Sequence, residues 1–336
     1  MKSLEKLMHE KETQWPSFFN VVNKELSVVE ENLIYKLPTK SNLLTEIIRY
    51  ILKAGGKRFR PVLCLLIAKS TGEINNKHII LAELTELIHT ASLVHDDIID
   101  SANLRRGRET INSLWNDKIS VITGDFLFAQ ASIRLGLLEN TEIVKIYAKV
   151  LSDLCEGEIE QYSFKFNTNI SWDYYIHKSN TKTASLFAAL CKSAAIINSQ
   201  DKKTIDQAKD FGTCLGIAFQ IVDDILDFTS SKKKIGKEIG ADLKQGIITA
   251  PTIFALSSTD KRVKQLKDLI ENQFNNKEED FNKAIGLTFE LGGCEKAKQL
   301  ATDYITKAKN NLSFVQDLNL KTSLEQAADY IFSRIE

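Results

Sequence analysis

The sequence predicts an all-α protein built as one large helical bundle. Three observations carry that expectation. Glycine and proline are scarce, 15 and 4 in 336 residues, so breakers and tight turns are few. Hydrophobic residues make up 43% of the chain, enough for a large core. Long stretches repeat apolar residues at helical spacing, without the alternation of strands.

The same composition excludes several classes. The formal net charge is +0, so nothing draws the chain generally to nucleic acid or an anionic membrane. No apolar run approaches the ~20 residues that span a bilayer. The first residues, MKSLEKLMHEKETQW, carry several acids and no arginine, unlike a secretory signal or a transit peptide. The five cysteines (Cys64, Cys155, Cys191, Cys214, Cys294) are scattered without a CxxC, and most read as small core residues.

The elements follow in order. Residues 1 to about 35 read as one amphipathic helix, with Phe18, Phe19, Val22, Leu26 and Val29 on its apolar side. Pro38 punctuates, and a second helix runs from about Leu43 to Ala54. Gly55 and Gly56 end it, and Lys57, Arg58 and Arg60 concentrate positive charge before Pro61, which suits a first helical turn. An apolar helix covers Pro61 to Thr71, GEINN breaks it, and a long apolar helix ends at Asp100. Asn103 to Asn112 is a polar loop, and helices follow over Val121–Leu138 and Ile143–Gln161. Acids Asp153, Glu156, Glu158 and Glu160 on the latter can line a cleft, but solvent exposure is the favoured reading. Trp172 to Asn198 holds Lys182 and Thr183 just before a small-residue apolar run. Another apolar helix spans Phe211 to Phe228. Thr229 to Gly246 is lysine-rich and reads as a mobile flap, from which Lys237 and Lys244 can close over a phosphate. Three or four amphipathic helices complete the chain. No linker or low-complexity tract interrupts residues 1–336, which read as a single domain.

Two of these helices carry the chemistry. Asp96 and Asp100 are four residues apart and share one helix face, with His89 seven residues earlier on nearly the same face. Three acids (with Asp97) at the end of an apolar helix repel one another unless a cation is present. Mg²⁺ takes one or two carboxylates, several waters and phosphate oxygens. Arg105 and Arg106 follow, each able to fork onto a phosphate. The pattern recurs: Asp223 and Asp227 are four apart with Asp224 between, and Gln220 is three residues before Asp223. Two such helices facing each other make an acidic cleft for Mg²⁺ and a diphosphate. Arginine is rare, and five of nine lie in the 58–60 and 105–108 clusters.

GGKRFRP (55–61), LVHDDIID (93–100), LRRG (104–107), KTA (182–184) and FQIVDDILDF (219–228), in this order, resemble the trans-isoprenyl diphosphate synthase family over almost the whole chain. HTASLVHDD and GDFLFAQAS are similar to long-chain, solanesyl-type members of cyanobacteria and plastids. The resemblance implies an isoprenoid-synthase bundle with a central cleft and apolar tunnel, two to three Mg²⁺ per site, and a homodimer. It implies that Lys57, Arg60, His89 and Arg106 grip isopentenyl diphosphate. It implies that Arg105, Lys182, Thr183, Gln220 and Lys237 hold the allylic diphosphate, with metal on Asp96, Asp100, Asp223, Asp224 and Asp227. Asp96, Asp100, Lys182 and Asp223 would be central to catalysis. One departure stands out: many relatives have lysine after the glycine of DLxxG, but Ile247 follows Gly246 here.

The residues suit ionisation of an allylic diphosphate, attack by the isopentenyl double bond and proton loss to the departing diphosphate. Ala91 and Ser92 are small and lie five and four residues before Asp96, leaving room for a long product, with C45 (a plastoquinone-type side chain) expected. Work in a plastid stroma or a bacterial cytoplasm fits this reading. A class I terpene cyclase would lack the second DDILD and GGKRFRP. A non-catalytic partner subunit would have lost the aspartates.

Overall fold

The structure is a computed structural model that describes residues 16–37, 39–53, 58–105, 107–229, 239–276 and 278–335. Fourteen helices organise those residues apart from shorter turns: α1 (Asn23–Tyr35), α2 (Asn42–Lys53), α3 (Phe59–Thr71), α4 (Asn76–Ile99), α5 (Asp117–Leu137), α6 (Thr141–Ser163), α7 (Trp172–Ser179), α8 (Ser185–Ile197), α9 (Lys202–Thr229), α10 (Ala250–Leu256), α11 (Val263–Glu271), α12 (Glu278–Glu290), α13 (Gly293–Asn310) and α14 (Leu318–Phe332). The all-α expectation is met. Three differences are local. The first helix breaks at Val22, whose backbone is non-helical. The polar loop folds into a two-residue antiparallel ribbon, β1 (Leu104–Arg105) with β2 (Arg108–Glu109), turning through Gly107 at φ 74°. Five helices rather than three or four follow Ile247.

A continuous apolar core draws on residues from Phe18 to Ile331. The aspartate helices lie inside it. α4 packs on α5, and α9 packs on α8 and α13. α4 begins at a capping box: the Asn75 side chain accepts from Lys77 N, and His78 Nδ1 accepts from Asn75 N at 3.1 Å. The helix is buried nearly all round, including its acids Glu83 and Glu86. Each is paired: Arg134 Nε is 2.7 Å from Glu83, and Arg58 Nη1 is 2.7 Å from Glu86. Buried charges are tolerated when paired in this way.

α9 gains its close approach from Gly212 and Gly216. A Cβ on Gly212 would lie 2.5 Å from the Phe187 carbonyl oxygen, and one on Gly216 would lie 2.5 Å from Ala184 Cα. A side chain at either position would push α9 away from α8 and from the turn that precedes it. That turn, Asn180–Ala184, is π-helical, with Ser185 N donating to Asn180 O. π-turns recur at functional sites because the extra residue re-aims its neighbours. Here the turn carries Lys182 and Thr183.

Among the described residues no helix is long and apolar enough to cross a membrane.

Candidate active site

The first aspartate cluster forms where α4 ends. Asp100 caps the helix, its N–H donating to Asp96 O at 2.8 Å. The middle acid, Asp97, is buried and accepts from Arg105 Nε at 2.6 Å. The β1–β2 ribbon therefore folds the arginine turn back over the helix end. Arg105, expected at a diphosphate, holds an aspartate in this state. Asp96 accepts no side-chain hydrogen bond from a described residue. Burial pushes its carboxyl up to about 6; Glu158 and Asp100 add to the rise, while Lys182 and Arg105 oppose it. An acid so placed gains from a cation.

Across from it, Lys182 Nζ lies 2.6 Å from Glu158. Burial alone would lower the lysine's pKa, but Glu158, Asp96 and Asp100 outweigh it and keep the ammonium charged. Glu158, expected to face solvent, thus belongs to the site. Thr183 Oγ1 donates to Gln220 Oε1 at 2.6 Å, and Gln220 Nε2 donates to Asp224 Oδ1 at 2.7 Å. Thr183 and Gln220 are therefore linked through their side chains, while Lys182, next to Thr183 in the π-turn, is bound to Glu158.

The second cluster differs from the expectation. Asp224 is 1% exposed and saturated by protein donors. Its Oδ2 accepts from Tyr175 OH at 2.6 Å and Ala250 N at 3.2 Å, in addition to the Gln220 bond on Oδ1. Burial pushes its carboxyl up to about 6, against the Lys178 charge and the Tyr175 bond. Asp227 caps the short Ala241–Lys244 helix, accepting from Ala241 N at 3.1 Å and Asp242 N at 3.2 Å. These two acids, expected at metal, tie α9 to its surroundings. Asp223 is bound by Arg334 Nη2 at 2.6 Å. Burial raises its pKa, and Arg334 and Arg60 oppose that rise.

Arg60 and Arg334 lie over Phe219, at 5.4 and 4.5 Å from the ring centre; Arg60 also lies 4.6 Å from the centre of Phe187. Two guanidiniums on one ring make a site suited to an anion. Arg58 instead serves the core, bound to Glu86 and, at 2.6 Å, to Leu52 O. His89 lines a cavity of about 90 Å³ with Arg58, Glu86, Asp97, Arg105 and Arg108. Ala91 is fully buried in the main core and Ser92 is half-buried, its Oγ donating to His89 O at 2.9 Å. Lys57, Arg106 and Lys237 lie outside the described residues.

Sequence reasoning missed Glu158, Tyr175, Lys178 and Arg334. Only the GxxxG spacing of Gly212 and Gly216 offered a signal, marking a face of α9 that packs closely. Among the described residues no three or more His, Cys, Asp or Glu side chains converge as a closed metal cage. That suits Mg²⁺, which keeps waters and phosphate oxygens among its ligands. Asp96, half-buried and without a hydrogen-bond donor among the described residues, fits such an ion.

Residues 41–288 match the polyprenyl synthetase family profile. The chain is 43% identical to a prenyl transferase of Porphyra purpurea, with 95% of this chain and 98% of that one covered. It is 39% identical to the chloroplastic solanesyl-diphosphate synthase 2 of Oryza sativa subsp. japonica, over 95% and 80%. The polyprenyl synthase of Caulobacter crescentus, solved with calcium and isoprenyl diphosphate, superposes with a TM-score of 0.89 at 30% identity, over 95% and 97%. The profile match over most of the chain and these identities over nearly all of it show the family: the chain belongs to the polyprenyl synthetase family.

Proposed function

We propose that the chain is a Mg²⁺-dependent prenyltransferase that condenses isopentenyl diphosphate with an allylic diphosphate and extends it to a long all-trans polyprenyl diphosphate. The observation that carries this reading is Asp96. It is an acid pushed to about 6 by burial, with no hydrogen-bond donor, beside Glu158, Asp100, Lys182 and Arg105. Asp96 and Asp100 on one side and Asp223 on the other would hold the metal. Bound there, Mg²⁺ neutralises charge that develops on the leaving diphosphate.

The chain's own residues do the rest. Lys182 stays protonated beside Glu158 and donates to phosphate oxygens. Thr183 and Gln220 are held to each other and to Asp224, so their remaining polar atoms are preorganised. Arg60, and Lys57 and Arg106 by resemblance, grip the second diphosphate with His89. Holding both reactants removes much of the entropic barrier to joining them. The proton is lost to the departing diphosphate.

Product length is assigned to the small residues Ala91 and Ser92, one turn before Asp96. Ala91→Phe or Ser92→Phe should shorten the products from about C45; unchanged lengths in both variants would place the tunnel elsewhere. The chain acts as one domain. The exposed apolar residues Val121, Ile122, Ile133 and Leu137 of α5, and Val144, Ile159 and Tyr162 of α6, support a homodimer. A chloroplastic relative and one from the cyanobacterium Synechocystis support work in a plastid stroma or a bacterial cytoplasm, with a plastoquinone-type side chain as the destination.

The test is product analysis of the purified protein with labelled isopentenyl diphosphate, farnesyl diphosphate and Mg²⁺. A metal-dependent long polyprenyl diphosphate, lost in Asp96→Ala, supports the reading. Absence of any elongation would contradict it and favour a non-catalytic subunit.

A further inference from the structure

Lys178 has no role in the scheme above, yet its environment is unusual for a lysine. It is 7% exposed, in the last turn of α7, one turn before Lys182 and directly before the π-turn. Lysines are rarely buried to this degree without a partner. Its ammonium makes no hydrogen bond or ion pair with any described residue. It lies over an aromatic ring, 5.8 Å from the Tyr175 centre. That ring's hydroxyl is the one bound to Asp224.

The acids around Lys178 do not explain it. Asp224, Asp242 and Glu158 attract it electrostatically, and Lys182 repels it. Asp224 has both oxygens taken by Tyr175, Ala250 and Gln220. Glu158 is bound to Lys182 at 2.6 Å. Burial works to lower the pKa of Lys178, so charge is retained at a cost that a bound anion would remove. Its position favours one anion. Lys182, its neighbour one turn on, reaches the field of Asp96 and Asp100, whereas Lys178 reaches that of Asp224 and Asp242. The two lysines, one turn apart, thus sit in the fields of the first and the second aspartate cluster respectively. Position 247, whose N–H bonds Asp242 O at 2.9 Å, offers only isoleucine at this corner.

We propose that Lys178 is a further diphosphate-binding residue of this cleft, donating to phosphate oxygens of the allylic substrate beside Lys182. The proposal rests on the prenyltransferase reading. Once bound, the diphosphate supplies charged acceptors in place of water at the ammonium.

The test is calorimetric binding of farnesyl thiolodiphosphate, an unreactive allylic analogue, with Mg²⁺. Lys178→Met should weaken its Kd by about tenfold or more, the size expected for one charge-assisted bond. Lys178→Arg should recover most of that loss, and isopentenyl diphosphate affinity should stay within about twofold of wild type. The salt dependence of analogue binding should also become shallower in Lys178→Met. Should Lys178→Met not fold, Lys178→Gln carries the same comparison. Unchanged analogue affinity in a folded variant, with or without a lower urea midpoint, would make Lys178 a structural countercharge and overturn the proposal. Failure of the wild-type protein to bind the analogue with Mg²⁺ would instead overturn the prenyltransferase reading, and this proposal with it.

Discussion

The two aspartate helices look alike in sequence and are used differently. At the end of α4, Asp97 is taken by Arg105, while Asp96 accepts no side-chain hydrogen bond from the described residues. On α9, Asp224 accepts three hydrogen bonds from the protein, Asp227 caps the Ala241–Lys244 turn, and Asp223 is paired with Arg334. Asp96 and Asp224 are both pushed to about 6 by burial, yet only Asp224 has donors that compensate it. A repeated motif therefore carries two tasks. On the function proposed above, the first helix offers a ligand for metal; the second uses two of its three acids to hold Gln220, Tyr175 and the Ala241–Lys244 turn in place.

The largest effect that separates these tasks falls on turnover. Asp96→Ala should cut kcat by about a thousandfold or more, because it removes a group that places charge at the leaving oxygen. Its metal-free folded stability at neutral pH should not fall, because the charged acid it removes is one that burial disfavours. Asp224→Ala should do the reverse in weight. It strips partners from Tyr175, Gln220 and the Ala250 N–H, so urea unfolding should show a loss of about 2–4 kcal/mol. Equal stability losses in the two variants would erase the distinction.

A smaller effect tests how α9 supports the wall. In Gly216→Ala the new methyl must displace Ala184, next to Thr183. About 1–3 kcal/mol of stability should be lost, as for other overpacked contacts. The kcat should fall more than KM rises, because the Lys182–Thr183 turn moves while the isopentenyl site does not.

The smallest effect is a pH dependence. The Asp96 carboxyl sits near 6 when folded and 3.8 in the reference state. Below 3.8 the folded chain holds the full stabilisation from this proton, and it is lost as pH rises through about 6. The metal-free wild type should therefore gain stability relative to Asp96→Asn as pH falls from about 7 to about 4. Saturating Mg²⁺ should reverse the trend for Asp96, since proton and metal compete for the same oxygens, and leave the Asp224 contribution in place. Parallel melting curves for wild type and Asp96→Asn across that range would contradict the burial of Asp96 as its dominant influence.

Much of this was legible in the sequence because periodicity and breakers report local structure. The helices and the Asp96–Asp100 face emerge from spacing, whereas the grouping of Thr183 with Gln220 follows from the resemblance to the family. What spacing cannot report is a partner from a distant element. Arg334 reaches Asp223 from the far end of the chain, Tyr175 reaches Asp224 across 49 positions, and Glu158 reaches Lys182 from another helix. Arg58 and Arg60 are two residues apart in one basic cluster, yet Arg58 serves the core through Glu86 while Arg60 lies over Phe187 and Phe219. Charge density located the cluster; only packing assigned each member.

The most direct test of the division between the two helices is a Mg²⁺ titration of the complex with farnesyl thiolodiphosphate, in wild type and in the four variants Asp96→Ala, Asp223→Ala, Asp224→Ala and Asp227→Ala. The account predicts that the first two lose metal-dependent binding of the analogue. The latter two should keep the wild-type metal stoichiometry despite lower stability. A folded Asp224→Ala protein that loses metal as completely as Asp96→Ala would contradict it.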